Sequence, residues 1–162
     1  MNTTITFFPV GNGDMTLLKL GDSVRTTILI DCNIREAADD PDDDTRDVAN
    51  DLRSRLARDA KGRPYVDAFL LSHPDADHCR GLCKHFYLGP PAGYPDDKKP
   101  DGQKRIFIRE LWSSPMVFRR ASKNHVLCSD ASAFNAEARR RVKVNRERGY
   151  PVDPGDRILV LG

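Results

Sequence analysis

The stretch VDAFLLSHPDADHCRGL, residues 66–82, decides the fold. Its first six residues form a nearly continuous apolar run, too short for a helix and long enough for a strand buried on both faces. Before it, apolar residues recur every fourth position with arginines between them, which predicts an amphipathic helix from about Asp47 to near Gly62 and Pro64. Because a strand is also predicted before this helix, at 26–30, the order strand, helix, strand indicates an α/β protein.

Further elements are predicted toward both ends of the chain. Residues 4–10 have the β-branched and aromatic content of a strand. Residues 15–20 are predicted to form the next strand, and Gly21 and Asp22 form the turn that leads into the strand at 26–30. The remaining predictions are a strand at 106–111, a helix at 129–148, a strand at 156–161, and a long surface loop or insertion at about 89–105, which contains four prolines and three glycines.

The predicted helix at 129–148 is rich in arginine. Ser129 and Asp130 are expected to cap it. Its inner face is predicted to carry Ala131, Phe134, Ala138 and Val142, and its outer face Arg139, Arg140, Lys143 and Arg146. A basic outer face is typical either of a solvated helix or of a surface that binds phosphates, and both interpretations stay open here.

Composition predicts one soluble globular domain, because 31% of the 162 residues are charged and 39% are hydrophobic. The four cysteines are scattered and form no CxxC pair, so a reducing, cytoplasmic compartment is expected. No apolar run approaches the ~20 residues that cross a membrane. Residues 1–80 carry 10 Lys and Arg against 15 Asp and Glu, whereas residues 81–162 carry 16 against 9, which would suit an anionic partner such as nucleic acid.

A cluster of possible metal ligands follows the buried strand. His73, Asp75, Asp77 and His78 place two imidazoles and two carboxylates within six residues. Where a strand gives way to a loop, successive side chains can converge on one cavity, and strand ends of α/β sheets are where ligands bind. The pattern therefore predicts a metal site at this strand end.

These four residues resemble the HxHxDH motif of the metallo-β-lactamase fold superfamily, with Asp75 in place of the second histidine. The surrounding SHPDADH, residues 72–78, looks most like the nuclease domain of the DNA-uptake channel of competent bacteria and its stand-alone relatives. A second match supports the resemblance, since VGNGDMTLL at 10–18 and ILID at 28–31 are similar to the VGQGD-x-x-LI and LID-x-G segments that open those domains.

The resemblance implies a four-layer αββα fold, of which residues 1–162 would form the N-terminal half. The further ligands of a complete domain would then come from a C-terminal half or a second, complementary chain. A half-sheet with a bare apolar face is not expected to be stable alone. The alternative partner is a second copy of the same chain.

The resemblance also implies a centre of two divalent ions, Zn²⁺ or Mn²⁺. His73 and Asp75 would hold the first ion, and Asp77 and His78 the second, with Asp77 also positioning the attacking hydroxide. Asp31 would orient a ligand histidine, and Asp14 would support the site from its turn. For these last two residues, capping of a strand-end turn is the alternative. His85 is predicted to be a packed or surface histidine. Cys79 is predicted to be a packed thiol, with a soft metal ligand as the alternative, and His125 is a candidate for a missing ligand.

The expected function is that of a metal-dependent nuclease that cleaves phosphodiesters by a metal-bound hydroxide once the domain is completed. Its nucleic-acid contacts are predicted at Arg80, Arg139, Arg140 and Lys143. Two alternatives stay open: a hydrolase of a small molecule such as a cyclic nucleotide, thioester or lactam, and a non-catalytic regulatory module on the same scaffold. A role in bacterial defence is suggested only by analogy with enzymes that become active when they assemble.

Overall fold

The computed structural model describes residues 2–40, 42–115 and 126–161. Within them, seven strands form one mixed sheet in the order β1-β2-β3-β5-β7-β6, and β8 also pairs with β7. The strands are β1 (Thr4–Phe7), β2 (Thr16–Lys19), β3 (Thr27–Ile30), β5 (Tyr65–Leu70), β6 (Phe86–Tyr87), β7 (Ile106–Ser113) and β8 (Arg157–Val160), and a two-residue strand, β4 (Cys32–Asn33), lies outside this sheet. The helices are α1 (Val48–Arg55), α2 (Ala76–Cys79), α3 (Leu82–His85) and α4 (Ser129–Arg148).

Strand directions divide the sheet into two parts. The first three strands form an antiparallel meander, and β3, β5 and β7 then run parallel, with β6 and β8 parallel to β7. Parallel neighbours need a crossover, and α1 lies in the connection between β3 and β5. The predicted α/β fold, a sheet with flanking helices, is confirmed. The four-layer αββα arrangement, of which this sheet would form one half, stays a prediction.

One face of the sheet carries the main core. Leu17, Leu29, Phe69 and Leu111 are register partners across four adjacent strands, and each is at most 3% exposed. They belong to one apolar cluster with Leu52 of α1, Phe134 of α4 and Leu82 of α3. The helices therefore cover this face.

The other face is only partly covered. Successive strand residues point to opposite faces of the sheet. The residues that precede and follow the core residues along each strand therefore form a second apolar surface, which we call the open face. Phe7 is 77% exposed and Leu159 is 43% exposed at its two edges. The open face consists of Ile5, Phe7, Leu18, Ile28, Ile30, Leu70, Trp112 and Leu159, all exposed or half-buried.

Helix α1 is shorter than predicted. It ends at Arg55, and Leu56 already has extended backbone. The Asp59 carboxylate accepts hydrogen bonds from the backbone N–H groups of Lys61 and Arg63, at 2.9 Å each. Such local bonds offer the backbone an alternative to the helix, which corrects the predicted end near Gly62.

Helix α4 has the predicted bounds, but its cap differs. Sγ of Cys128, not Ser129, accepts the N-terminal hydrogen bond from the Ala131 N–H. Asp130 instead accepts from the backbone N–H groups of Gly81 and Cys83, so it ties α4 to the start of α3. The predicted inner residues Ala131, Phe134 and Ala138 are fully buried, while Val142 is half-buried.

The loop at 89–105 is folded against the sheet. Tyr94 lies in T-shaped contact with Tyr87 and Phe107, at ring-centroid distances of 5.2 and 6.4 Å. The Arg63 guanidinium lies 4.0 Å from the Phe107 ring centroid, a cation–π contact. None of the helices in the described ranges is both long and apolar enough to cross a membrane.

Candidate metal centre

The candidate site lies where two parallel strands end side by side. Asp31 directly follows β3, and Ser72 and His73 come just after β5. The Asp31 N–H donates to Leu70 O at 2.8 Å, which carries the pairing of the two strands one residue further. Asp31 has a φ of 55°, in the left-handed region, and the chain turns there. The carboxyl ends of parallel strands thus bring Asp31 and Ser72, which are 41 residues apart in the chain, to one edge of the sheet.

Asp31 is the buried hub of the site. Its Oδ1 accepts the backbone N–H of Ser72 at 2.7 Å, and its Oδ2 accepts the Ser72 hydroxyl at 2.6 Å. The same Oδ2 lies 2.9 Å from Nδ1 of His78, and the Asp31 side chain is only 4% exposed. Both carboxylate oxygens are therefore already engaged within the protein.

The contact with Asp31 sets the orientation of His78. A carboxylate only accepts, so Nδ1 of His78 donates to Asp31, and Nε2 is the ring nitrogen that points away from this contact. That Nε2 lies 3.7 Å from Oδ2 of Asp77. A buried carboxylate that holds the far nitrogen of a histidine is the usual support of a metal-ligating imidazole.

A second pair lies beside the first. Nε2 of His73 lies 3.6 Å from Oδ2 of Asp75, and the rings of His73 and His78 are 3.7 Å apart between centroids. The side chains of His73, Asp75 and Asp77 are about half exposed, whereas His78 is mostly buried. The site is thus open to solvent on one side and anchored on the other.

These donors fit divalent metal ions. With bonds of about 2.1 Å, neighbouring ligands in a tetrahedral site lie ~3.4 Å apart. The two histidine–carboxylate separations, 3.6 and 3.7 Å, are close to that value. Imidazole nitrogen and carboxylate oxygen are ligands of Zn²⁺ and Mn²⁺. His73 therefore lies near Asp75 and Asp77 near His78, and the assignment of these pairs as ligands of two ions stays a prediction.

A further grouping involves Asp14. One ligand atom each of Asp14, Asp31 and His78 lies within 4.8 Å of the others, which makes a possible metal-binding triad. Oδ2 of Asp14 is 3.9 Å from Nδ1 of His78, and its side chain is 73% exposed. Because the oxygens of Asp31 already accept three hydrogen bonds, we assign Asp31 to orientation and Asp14 to the role of the accessible carboxylate of this group.

The turn that carries Asp14 is held by Asn33, a residue that the sequence did not single out. The Asn33 side-chain amide donates to the carbonyl oxygens of Val10 and Asn12, at 3.2 and 2.9 Å. A Cβ at Gly13 would meet the Asn33 amide and lie 2.5 Å from Asp77 O. Only glycine permits this approach, at a φ of 148°. The glycine of VGNGD was visible in the sequence, but its partner 20 residues later was not.

The predicted nucleic-acid contacts divide into two groups. Arg80, Arg139 and Lys143 are exposed. Arg140 instead donates to Glu137 at 2.8 Å and to Asp156 at 2.6 Å, and only 22% of its side chain is exposed. This corrects the predicted outward position of Arg140, because its guanidinium joins α4 to the turn before β8.

The other singled-out histidines have simple outcomes. His85 is 3% exposed and its Nδ1 lies 3.0 Å from Nη2 of Arg53, as expected of a packed histidine. His125 lies outside the described residues.

The cysteines are not scattered in space. Sγ of Cys79 lies 3.6 Å from Sγ of Cys128, and it donates to Asp75 O at 3.2 Å. Burial raises the pKa of the Cys79 thiol well above its usual range, and it raises that of Cys32 as well. Both are fully buried, so the prediction that Cys79 is a packed thiol is confirmed.

Comparison of the chain with family models, curated proteins and solved structures finds no match. What the structure defines is therefore a mixed α/β protein with a possible metal-binding group at the ends of two parallel strands. The metallo-β-lactamase fold remains a prediction from sequence motifs.

Proposed function

We propose that this protein is a metal-dependent nuclease that hydrolyses phosphodiester bonds. One observation carries the proposal: two histidine–carboxylate pairs, at 3.6 and 3.7 Å, lie side by side at a strand edge open to solvent. His73 and Asp75 would hold one divalent ion, and Asp77 and His78 a second. When bound, such ions supply Lewis-acid activation of the phosphoryl group and of water.

The residues of the chain then have separate tasks. Asp31 holds the His78 ring in place, because its two carboxylate oxygens form hydrogen bonds with Ser72 and His78. Asp77 combines contact with His78 and access to solvent, so its second oxygen can hold the attacking water. Asp14 is exposed on the Nδ1 side of the same histidine, where it would support the site from its turn.

Exposed basic side chains would favour an anionic substrate. Arg80 directly follows α2, the helix that contains Asp77 and His78, and it is exposed. Arg139 and Lys143 are exposed on α4, where they line a shallow cavity with Val142 and Val160. Positive side chains offset the local carboxylates and contact phosphates without regard to base sequence.

We further propose that the open face binds a complementary polypeptide that completes the fold and the ligand set. Two sheets pack face to face about 10 Å apart through apolar side chains, and the open face offers such a surface. Its edge residues Phe7 and Leu159 are exposed, and exposed apolar surface of this kind is typical of a protein–protein contact.

Metal binding is the first test of the function. Native mass spectrometry of the protein, together with any chain that purifies with it, titrated with Zn²⁺ or Mn²⁺ should show two bound ions, and His73→Ala or His78→Ala should lose at least one. Asp153→Asn, an exposed carboxylate before β8, serves as the control and should bind as the wild type does. A wild-type protein that binds neither ion would refute the metal-dependent function.

Cleavage is the second test. Labelled DNA and RNA should be cut by the protein together with any chain that purifies with it, and Asp77→Ala should abolish cutting without unfolding the chain. Cutting retained in Asp77→Ala would refute the site. Hydrolysis of a cyclic nucleotide, thioester or lactam with intact nucleic acid would favour the small-molecule alternative.

The completing partner has its own test. Sedimentation and native mass spectrometry should show an assembly heavier than one chain, and the isolated chain should bind a hydrophobic dye. A monomer that unfolds cooperatively and binds no dye would contradict this part of the proposal.

A further inference from the structure

Ser72 lies at the centre of the hydrogen bonds that support the candidate site. Its hydroxyl oxygen is 2.6 Å from Oδ2 of Asp31 and 2.9 Å from Nδ1 of His73. Its backbone N–H donates to the other oxygen of Asp31 at 2.7 Å. The residue therefore links the buried carboxylate to the one histidine of the site that Asp31 does not itself contact.

The hydroxyl has a single proton, so the two contacts of its oxygen cannot both be donated by Ser72. The proton goes to Asp31, since a carboxylate can only accept. The contact with His73 then needs its proton from the ring, which places that proton on Nδ1. Nε2 is then the ring nitrogen that faces Asp75, at 3.6 Å.

We propose that Ser72 is a positioning residue that holds Nδ1 of His73 as the donor to its hydroxyl and so directs Nε2 of that ring toward Asp75. Asp31 then orients both imidazoles, His78 directly and His73 through the Ser72 hydroxyl. This inference deepens the proposed metal-dependent function and rests on it for its purpose, but the proton position itself is a property of the metal-free protein.

The same contacts argue against a nucleophilic serine. A serine that attacks a substrate gives its proton to the lone pair of a neighbouring histidine. Here the hydroxyl proton is engaged with Asp31, and Nδ1 of His73 carries a proton instead of a lone pair. Ser72 is thus arranged to accept from the ring and not to be activated by it.

The proton position can be measured without metal. Long-range ¹H–¹⁵N NMR correlations of the histidine rings distinguish Nδ1–H from Nε2–H. In the wild-type protein both His73 and His78 should carry a proton on Nδ1. A wild-type His73 in the Nε2–H form would overturn the inference, whatever the protein proves to do.

Substitutions of Ser72 test the role of its hydroxyl group. Ser72→Ala should let His73 populate the Nε2–H form while His78 keeps Nδ1–H, and it should weaken metal binding by about 10-fold, measured by calorimetry. Ser72→Thr retains the hydroxyl and should restore the wild-type spectrum and affinity. If Ser72→Ala changes neither the His73 spectrum nor the affinity, the inference is wrong.

The outcomes separate this inference from the proposed function. A wild-type protein with His73 in the Nδ1–H form, released by Ser72→Ala, but with no affinity for Zn²⁺ or Mn²⁺, would support the positioning role and refute the metal function. Metal binding in the wild type that is equal in Ser72→Ala and Ser72→Thr would support the function and refute the role of Ser72.

Discussion

Oδ2 of Asp31 lies 2.9 Å from Nδ1 of His78, although 47 residues separate the two side chains in the chain. The contact exists because β3 and β5 are parallel neighbours whose carboxyl ends meet at one edge of the sheet. It joins a nearly buried carboxylate to a histidine whose other nitrogen faces Asp77. The sheet order thereby orients one of the predicted metal ligands.

Asp31→Asn should weaken metal binding by about 10- to 100-fold, because an amide nitrogen replaces one of the two accepting oxygens. The variant should still fold, since the amide fits the space of the carboxylate. Isothermal titration with Zn²⁺ and Mn²⁺ measures the loss, with Asp153→Asn as the matched exposed control. Wild-type affinity in Asp31→Asn would contradict the orienting role.

Gly13→Ala should destabilise the protein by about 1–3 kcal/mol, because the added Cβ would overlap the Asn33 amide and approach Asp77 O. Metal affinity should fall with it, since both contacts lie at the site. Gly102→Ala is the control, because a Cβ there meets nothing within 4 Å. Equal urea midpoints for the two variants would show that the turn has room that the structure does not indicate.

The double variant Arg139→Ala with Lys143→Ala should weaken nucleic-acid binding and reduce the slope of its salt dependence by about 2, because each side chain removed would take away one phosphate interaction. Fluorescence anisotropy at several salt concentrations provides the measurement. Lys98→Ala, an exposed lysine of the 89–105 loop, should leave the slope unchanged. An unaltered slope in the double variant would mean that this face of α4 is only solvated.

Acid should remove the stabilisation that Asp96 provides. Burial by itself would raise the pKa of Asp96, but hydrogen bonds from Arg105 and Lys99 outweigh it and lower the pKa to about 2. An unfolded aspartate titrates near ~3.9, so the contribution is complete above about pH 4 and is lost as the pH falls toward ~2.

Asp96→Asn should accordingly lower the free energy of unfolding by roughly 1–2 kcal/mol at pH 7, and the difference from the wild type should shrink between about pH 4 and pH 2. Urea unfolding at a series of pH values tests this. Asp97→Asn, its exposed neighbour, is the control. If the wild type remains more stable than Asp96→Asn by the same amount at pH 2, the negative charge of Asp96 is not the source of the difference.

Local patterns were enough to predict most elements of the sheet. The strands at 26–30 and 66–71 and the helix at 129–148 follow from apolar periodicity and turn residues, which depend only on near neighbours. Helix α1 was predicted too long, because the turn that Asp59 builds with Lys61 and Arg63 competes with helical hydrogen bonds.

Buried polar residues were beyond the reach of the same reasoning. Arg140 and Arg141 look alike in an arginine-rich helix, yet Arg141 is 1% exposed and donates to Glu137, Ile108 O and Arg157 O. A charged residue in a periodic pattern is expected outside, and only the packed neighbours decide which charges turn inward.

The sequence by itself determined the α/β order of elements and the cluster from His73 to His78, because these depend on residues that are close along the chain. Only the tertiary structure decided that Asp31 holds His78, that Asn33 holds the turn of Asp14, and that Cys79 meets Cys128. Those contacts join residues from separate strands, loops and helices, and their partners are set by which strands pair and which surfaces pack together.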